Sequence, residues 1–166
     1  MLSPPVLKLI SFLAPSLALT TSTSILSYSI FLAPTVLTTA DQSTSLALKQ
    51  VVYYFRAGKP IFPTAAILNT ILYAILAYDQ PSKRLGYSVA AAGSGWVIGF
   101  SAVYLIPVTN DRILELEDMA RKGGEEAVKG KREEVKSLLG DFTRENWLRG
   151  GVYWLGGMVG LWTLFQ

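Results

Sequence analysis

Few residues of this sequence could carry out chemistry, because it contains no histidine and no cysteine. These absences remove the commonest general base, the thiolate nucleophile and the usual ligands of zinc, copper and haem iron. The remaining candidates lie at the ends of two apolar runs: Asn110 and Asp111 follow one run, and Asn146 and Arg149 begin another. A guanidinium inside an apolar run normally faces the protein interior and pairs with an anion. Partial burial would make Asp111 a usable base.

The composition is that of a membrane protein. Half of the sequence is hydrophobic and only 16% of it is charged, against about 25% in ordinary soluble domains. The net charge of +3 is small and dispersed, which argues against a nucleic-acid partner. The glycines lie inside apolar runs and follow no strand, so they form no nucleotide-binding signature. We therefore predict a single integral membrane domain covering residues 1–166, with the lipid bilayer as its surroundings.

Four apolar runs predict an all-α fold, a bundle of four transmembrane helices. The predicted spans cover about residues 6–33, 61–78, 85–107 and 146–165. Pro34 is expected to end the first span, and residues 41–59 are expected to form a partly amphipathic connection. The turn at 79–84 makes the second and third spans antiparallel neighbours. Asn110 and Asn146 then lie on the same side of the membrane.

The charged segment 111–140 is predicted to be an extramembrane helical segment between the third and fourth spans. Its apolar spacing allows two short helices, or an extension of the third span followed by a hinge at Gly123 and Gly124. A solvated charged loop is the alternative. Four of its acids are interpreted as solvent-facing partners of nearby cations: Glu125, Glu126, Glu133 and Glu134, with Lys129, Lys131, Arg132 and Lys136.

Three further features concern the membrane. Lys8 and the apolar stretch after it could form a signal peptide, but the apolar character resumes through 30–37 and favours a retained span. The distribution of lysine and arginine predicts that both termini lie on the non-cytosolic face. The glycines between 150 and 160 permit close helix packing, within one chain or between the chains of a homo-oligomer.

Several stretches together resemble a known family. They are the Ser-rich first span with Pro34, the stretch YYFRAGKP at 53–60, PVTNDR at 107–112 and NWLR at 146–149. The pattern resembles the anthrone oxygenase-like family of small four-span membrane proteins, many of them encoded in fungal polyketide pathways. The resemblance implies a cofactor-independent monooxygenase that oxidises a lipophilic anthrone to an anthraquinone, with molecular oxygen as co-substrate and no metal. It also implies the endoplasmic reticulum or another endomembrane.

This chemistry suits a chain without histidine and cysteine. An anthrone has an acidic methylene, and its anion can pass an electron to dioxygen without help from a cofactor. The protein needs an apolar aromatic pocket, one base, and fixed donors for the developing anions. Under this reading the catalytic candidates are Arg149, Asp111 and Asn110. The candidates for substrate binding are Trp96, Tyr28, Tyr53, Asn146, Asn69 and Arg56.

Each candidate also has a structural explanation. Trp96 could fill a helix interface, Tyr53 could anchor the chain at the membrane surface, and Asn146 could cap a helix. Arg149 could simply pair with Asp111. Two other functions stay open: a membrane cyclase or isomerase acting on a lipophilic intermediate, and a non-catalytic membrane scaffold. Uptake of dioxygen separates the oxygenase from the cyclase or isomerase.

Overall fold

The computed structural model describes residues 2–166, and this part of the chain is all-α. Its regular elements are helices, with no strand among them. The α-helices are α1 Pro4–Ser27, α2 Ala33–Gln42, α3 Thr44–Asp79, α4 Arg84–Phe100, α5 Asp111–Gly123 and α6 Arg132–Phe165. Two π-helical segments, Tyr28–Leu32 and Ser101–Asn110, follow α1 and α4, and short 3₁₀ turns cover Pro81–Lys83, Glu125–Ala127 and Lys129–Lys131. The all-α prediction is confirmed.

The prolines do not end helices as predicted. The chain stays helical through Pro34 to Gln42, and α3 runs from Thr44 through Pro60, so the predicted connection at 41–59 is mostly helix. A proline ring collides with the carbonyl one turn earlier in an α-helix. The wider π-helical turns lie just before Pro34 and around Pro107, where an extra residue in the turn relieves that collision.

Three helical stretches are long and apolar enough to cross a membrane: Pro4–Gln42, Thr44–Asp79 and Pro81–Gly123. They contain the first three predicted spans. The fourth predicted span lies within α6, which does not belong to this set. Its glycines, its tryptophans and Arg149 lower its hydropathy. The structure therefore supports a membrane protein, with three candidate spans in the described residues.

The charged segment contains an extension of the third span and then a hinge. Helix α5 continues directly from the π-helical segment Ser101–Asn110 and ends at Gly123. Gly124 has a φ of 68°, in the left-handed region that a glycine adopts without strain. The sequence allowed either two short helices or an extension of the third span followed by a hinge, and the structure has the extension and the hinge.

The chain divides into two compact units, each assembled from distant stretches. Unit 1 comprises residues up to Ile25 together with Ile61–Gly99 and Leu148–Gln166. Unit 2 comprises Leu26–Pro60 and Phe100–Trp147.

Unit 1 packs through glycines of α6. A Cβ on Gly156 would lie 3.4 Å from the carbonyl oxygen of Ala90 on α4, and one on Gly157 would lie 3.0 Å from Leu19 on α1. A Cβ on Gly160 would overlap the phenol of Tyr73 on α3. Small residues thus let the backbone of α6 approach three neighbouring helices, as the spacing of these glycines predicted.

Unit 2 has its own apolar core, built from α2, the first half of α3, α5 and the first half of α6. The core includes Val36, Leu48, Leu116 and Phe142, all buried. The buried positions of α5 recur at helical spacing, so one face of this charged helix packs inward.

A carboxylate fixes the corner between α2 and α3. Glu125 accepts hydrogen bonds from the backbone N–H groups of Thr44 (2.8 Å) and Ser45 (2.9 Å) and from the hydroxyl of Ser43 (2.8 Å). The first N–H groups of a helix have no partner within the helix, so an anion at this position satisfies them. These hydrogen bonds, with the backbone N–H of Ser45 the largest contributor, lower the pKa of Glu125 to about 2.

Gly160→Ala is expected to destabilise the protein by about 1–3 kcal/mol, because the new methyl group would force the buried Tyr73 ring to move. Melting temperature in detergent micelles measures the effect. Gly151→Ala is the matched control on the same helix, since a Cβ there meets nothing within 4 Å. Equal melting temperatures for the two variants would contradict this packing.

Glu125 is expected to make stability depend on pH under acidic conditions. Its folded pKa of about 2 lies below its ordinary value of 4.5, so its stabilisation is complete above about pH 4.5 and is lost as the pH falls towards 2. A comparison of wild type with Glu125→Gln by melting temperature from pH 6 to pH 2 tests this. The wild type's advantage should shrink across that range. The neighbouring exposed Glu126→Gln variant should follow the wild type throughout.

Candidate functional site

Both π-helical segments contact the same turn of α6 in unit 2. The hydroxyl of Thr109 donates a hydrogen bond of 2.7 Å to Oε1 of Glu145. The hydroxyl of Ser29 donates one of 3.1 Å to the carbonyl oxygen of Thr143. The ring of Tyr28 lies edge-on to Phe142, with centroids 5.0 Å apart. Residues 142–146 of α6 thus lie against polar groups from two widened helical turns, a feature often associated with functional sites.

Tyr28 is an interior residue of unit 2. Only 1% of it is exposed, and its ring packs against Tyr54 at a centroid distance of 4.5 Å. Its hydroxyl is buried and has no hydrogen-bond partner within residues 2–166. A buried hydroxyl without a partner costs free energy that a bound polar group would recover. Tyr28 therefore stays among the candidates for substrate binding.

The buried carboxylate of this cluster was not predicted from the sequence. Only 7% of Glu145 is exposed, and Asn146 beside it is fully buried. The sequence interpretation considered Glu125, Glu126, Glu133 and Glu134, which it took as solvent-facing, and assigned no role to Glu145. The signal was present, since Val135, Leu139 and Phe142 are spaced as one buried helix face, and that face continues to residues 145 and 146.

Asn110 and Asp111 follow Thr109 but differ in their surroundings. Asn110 is half-buried, and its carbonyl oxygen Oδ1 is buried with no hydrogen-bond partner in residues 2–166. Asp111 is exposed, so the partial burial predicted for it is wrong. The reason is helical periodicity: Ile113 and Leu116 define the buried face of α5, and Asp111 lies on the opposite face.

Tyr53 and Arg56 lie on the exposed face of α3 in unit 2. Tyr53 is 77% exposed, which suits a surface anchor better than a lining residue. Arg56 is also exposed and forms an ion pair of 3.7 Å with Glu117. Neither residue belongs to the buried cluster around Glu145.

Unit 1 contains a separate set of buried polar side chains. Asn69 is fully buried, and its Nδ2 donates a hydrogen bond of 3.2 Å to the hydroxyl of Ser94. Ser94 in turn donates to the carbonyl oxygen of Ala90, at 3.1 Å. The hydroxyl of Tyr153 donates to the carbonyl oxygen of Ala65, at 3.2 Å. These bonds join α3, α4 and α6, so Asn69 has a clear structural role in unit 1.

Trp96 borders an apolar groove of about 400 Å³ in unit 1. The groove lies between α4 and α6 and its lining is almost wholly apolar; the residues are Val89, Ala92, Gly93, Trp96, Val152, Leu155, Gly156 and Val159. Its volume lies in the range of small-molecule sites. With so few polar groups, it could hold only hydrocarbon or aromatic surface.

Arg149 is buried in unit 1, as expected for a guanidinium in an apolar run. Only 9% of it is exposed, and its guanidinium lies 5.9 Å from the ring centroid of Phe62, within the range of a cation–π interaction. Asp111 belongs to unit 2. The pairing of Arg149 with Asp111 stays a prediction.

The described residues, 2–166, contain no group of three or more carboxylate side chains that could hold a metal ion. The candidate site therefore offers hydroxyl, amide, carboxylate and aromatic groups. Such groups can bind a phenolic ligand, accept a proton and stabilise an anion.

Comparison with known families gives one match. The family model described as Anthrone oxygenase matches residues 51–159, more than half of the chain. The chain belongs to the anthrone oxygenase family. Searches of curated proteins and of solved structures gave no match. The matched region of the anthrone oxygenase family contains Thr109, Asn110, Glu145 and Asn146, whereas Tyr28 lies outside it.

Tyr28→Phe is expected to raise the melting temperature, because it removes a buried hydroxyl that has no partner. Tyr153→Phe is the matched comparison: its hydroxyl makes a hydrogen bond, so its loss should lower stability by about 0.5–1.5 kcal/mol. Melting temperatures of both variants in the same detergent show whether each substitution raises or lowers stability. A destabilised Tyr28→Phe protein would show that the hydroxyl serves folding.

Proposed function

We propose that this protein is a cofactor-independent monooxygenase that oxidises a lipophilic anthrone-type aromatic polyketide to an anthraquinone. The observation that carries the proposal is family membership over residues 51–159, together with a buried cluster of proton-handling groups inside the matched region. The helices supply a hydrophobic location for such a substrate. Membership of the family supports this type of reaction.

The reaction needs little from the protein beyond binding and proton transfer. Loss of a methylene proton converts the anthrone to an electron-rich anion, which reduces dioxygen by one electron. The resulting radical pair recombines, and loss of water gives the quinone. Overall, one anthrone and one dioxygen give one anthraquinone and one water. A protein accelerates these steps by holding the substrate and stabilising the anions.

Unit 2 offers groups for these tasks. The hydroxyl of Tyr28 and the amide of Asn110 each present a buried polar atom that has no partner within residues 2–166. A hydroxylated anthrone carries phenol and carbonyl oxygens that match such atoms. The rings of Tyr28, Tyr54 and Phe142 supply aromatic surface beside them. We assign substrate binding to Tyr28, Asn110 and the neighbouring Asn146.

Unit 1 contributes by a different physical route. The groove beside Trp96 is apolar, and a flat aromatic molecule dissolved in a bilayer would gain contacts there without losing hydrogen bonds. The buried guanidinium of Arg149 supplies a permanent positive charge, which favours an anionic intermediate. We propose that the protein resides in an endomembrane such as the endoplasmic reticulum, where lipophilic intermediates partition.

Arg149→Ala is expected to abolish the catalysed reaction. The assay is oxygen consumption by membranes that contain the protein and are supplied with emodin anthrone, minus the spontaneous rate in empty membranes. Removing a stabilising charge from a desolvated site typically lowers turnover by about 10²–10³-fold. Membrane abundance, measured by immunoblot, must match the wild type.

Arg144→Ala is the control for this experiment. Arg144 lies on the same helix, its side chain is exposed, and it forms an ion pair of 3.6 Å with Asp141. This variant should keep the full excess rate. No excess oxygen uptake by folded wild-type protein would refute the oxygenase and favour a cyclase or isomerase, whereas turnover by Arg149→Ala would remove Arg149 from the mechanism.

A further inference from the structure

The base for the proposed reaction must be a carboxylate, phenol or amine, because the chain has no histidine. Among the described residues, two carboxylates are buried, Glu117 and Glu145. Glu117 forms an ion pair of 3.7 Å with Arg56 on the exposed face of α3, away from the cluster around Asn110 and Asn146. Glu145 accepts a hydrogen bond from the hydroxyl of Thr109 and lies on the turn of α6 that both π-helical segments contact. Its position beside Asn146 also puts it next to the proposed substrate-binding residues.

We propose that Glu145 is the catalytic base that removes the methylene proton of the substrate, and that Thr109 is its positioning residue. The inference rests on the proposed function and replaces Asp111 as the base. Asp111 is exposed and lies on the outer face of α5, whereas Glu145 lies inside unit 2. A general base must lie within hydrogen-bonding distance of the proton that it removes. A substrate bound inside unit 2 can come that close to the buried Glu145 but not to the exposed Asp111.

The proton and electron balance is simple. The methylene C–H bond breaks, its proton goes to a carboxylate oxygen of Glu145, and the electron pair delocalises onto the ketone oxygen of the substrate. The anion gives one electron to dioxygen, and the two radicals join in a C–O bond. The carboxylic acid of Glu145 then returns its proton to the peroxide. This transfer regenerates the carboxylate. The hydroperoxide then loses water, by cleavage of its remaining C–H bond and its O–O bond, to give the quinone.

Thr109 orients the base through geometry. Its hydroxyl binds Oε1 of Glu145 at 2.7 Å, and this bond fixes the rotation of the carboxyl group. The π-helical turn that ends at Asn110 sets the position of Thr109, which is almost fully buried. A fixed carboxylate meets the substrate in one geometry, so orienting it adds less to the activation free energy.

Proton exchange tests the base separately from oxidation. Under anaerobic conditions in D₂O, the protein should speed incorporation of deuterium into the methylene of emodin anthrone, measured by mass spectrometry against empty membranes. Glu145→Gln keeps the shape and the acceptor for Thr109 but cannot take a proton. It should lose the protein-dependent exchange by about 10²–10⁴-fold, the usual contribution of a general base.

Two carboxylate variants serve as comparisons. Asp141→Asn alters an acid one turn earlier on α6 whose side chain is 46% exposed, and exchange should match the wild type. Asp111→Asn tests the competing base, and exchange should persist. Loss of exchange in Asp111→Asn, or near-normal exchange in a folded Glu145→Gln protein, would overturn the proposal.

Thr109 provides a second route if Glu145→Gln does not fold. Thr109→Val should lower kcat for exchange with little change in KM, and Thr109→Ser, which restores the hydroxyl, should recover it. A change in KM alone would refute a positioning role. Wild-type exchange without oxygen uptake in air would refute the oxygenase but leave Glu145 as a base, and the absence of both would refute both proposals.

Discussion

The hydrogen bond from Thr109 to Glu145 is the contact on which the proposed chemistry depends. It joins the widened turn before α5 to α6 inside unit 2, and it fixes a carboxylate away from water. Burying a carboxylate is costly unless it is hydrogen-bonded, and the hydroxyl of Thr109 supplies one such bond to Glu145. The π-helical turns are part of the same arrangement, because they bring Thr109 and Tyr28 to the protein interior.

The sequence predicted the character of the protein better than its local geometry. Bunched apolar residues were enough for an all-α membrane protein, and the glycines of α6 pack as their spacing indicated. The helix ends were less predictable, since Pro34 and Pro60 lie within continuous helix. A proline removes one hydrogen bond and crowds one carbonyl, and a wider turn or tertiary packing compensates for both. Sequence patterns do not report that compensation.

The same limit applies to the candidate site. The sequence drew attention to the ends of two apolar runs, and the residues just before Asn110 and Asn146 are hydrogen-bonded to each other. It predicted burial for Asp111, which is exposed, and not for Glu145, which is buried. Both acids lie at a boundary between apolar and charged sequence, so their sequence surroundings look alike. Only the phase of the buried face along α5 and α6 separates an exposed carboxylate from an interior one.

The fate of the oxygen atoms is the most direct test of the oxygenase assignment. Membranes containing the protein would be given emodin anthrone under ¹⁸O₂, and the anthraquinone formed above the spontaneous background would be analysed by mass spectrometry. A monooxygenase predicts one labelled oxygen in each molecule of quinone, with the other label in water, and the same result after treatment with a metal chelator. Unlabelled quinone, or no product above the background from folded protein, would contradict the account.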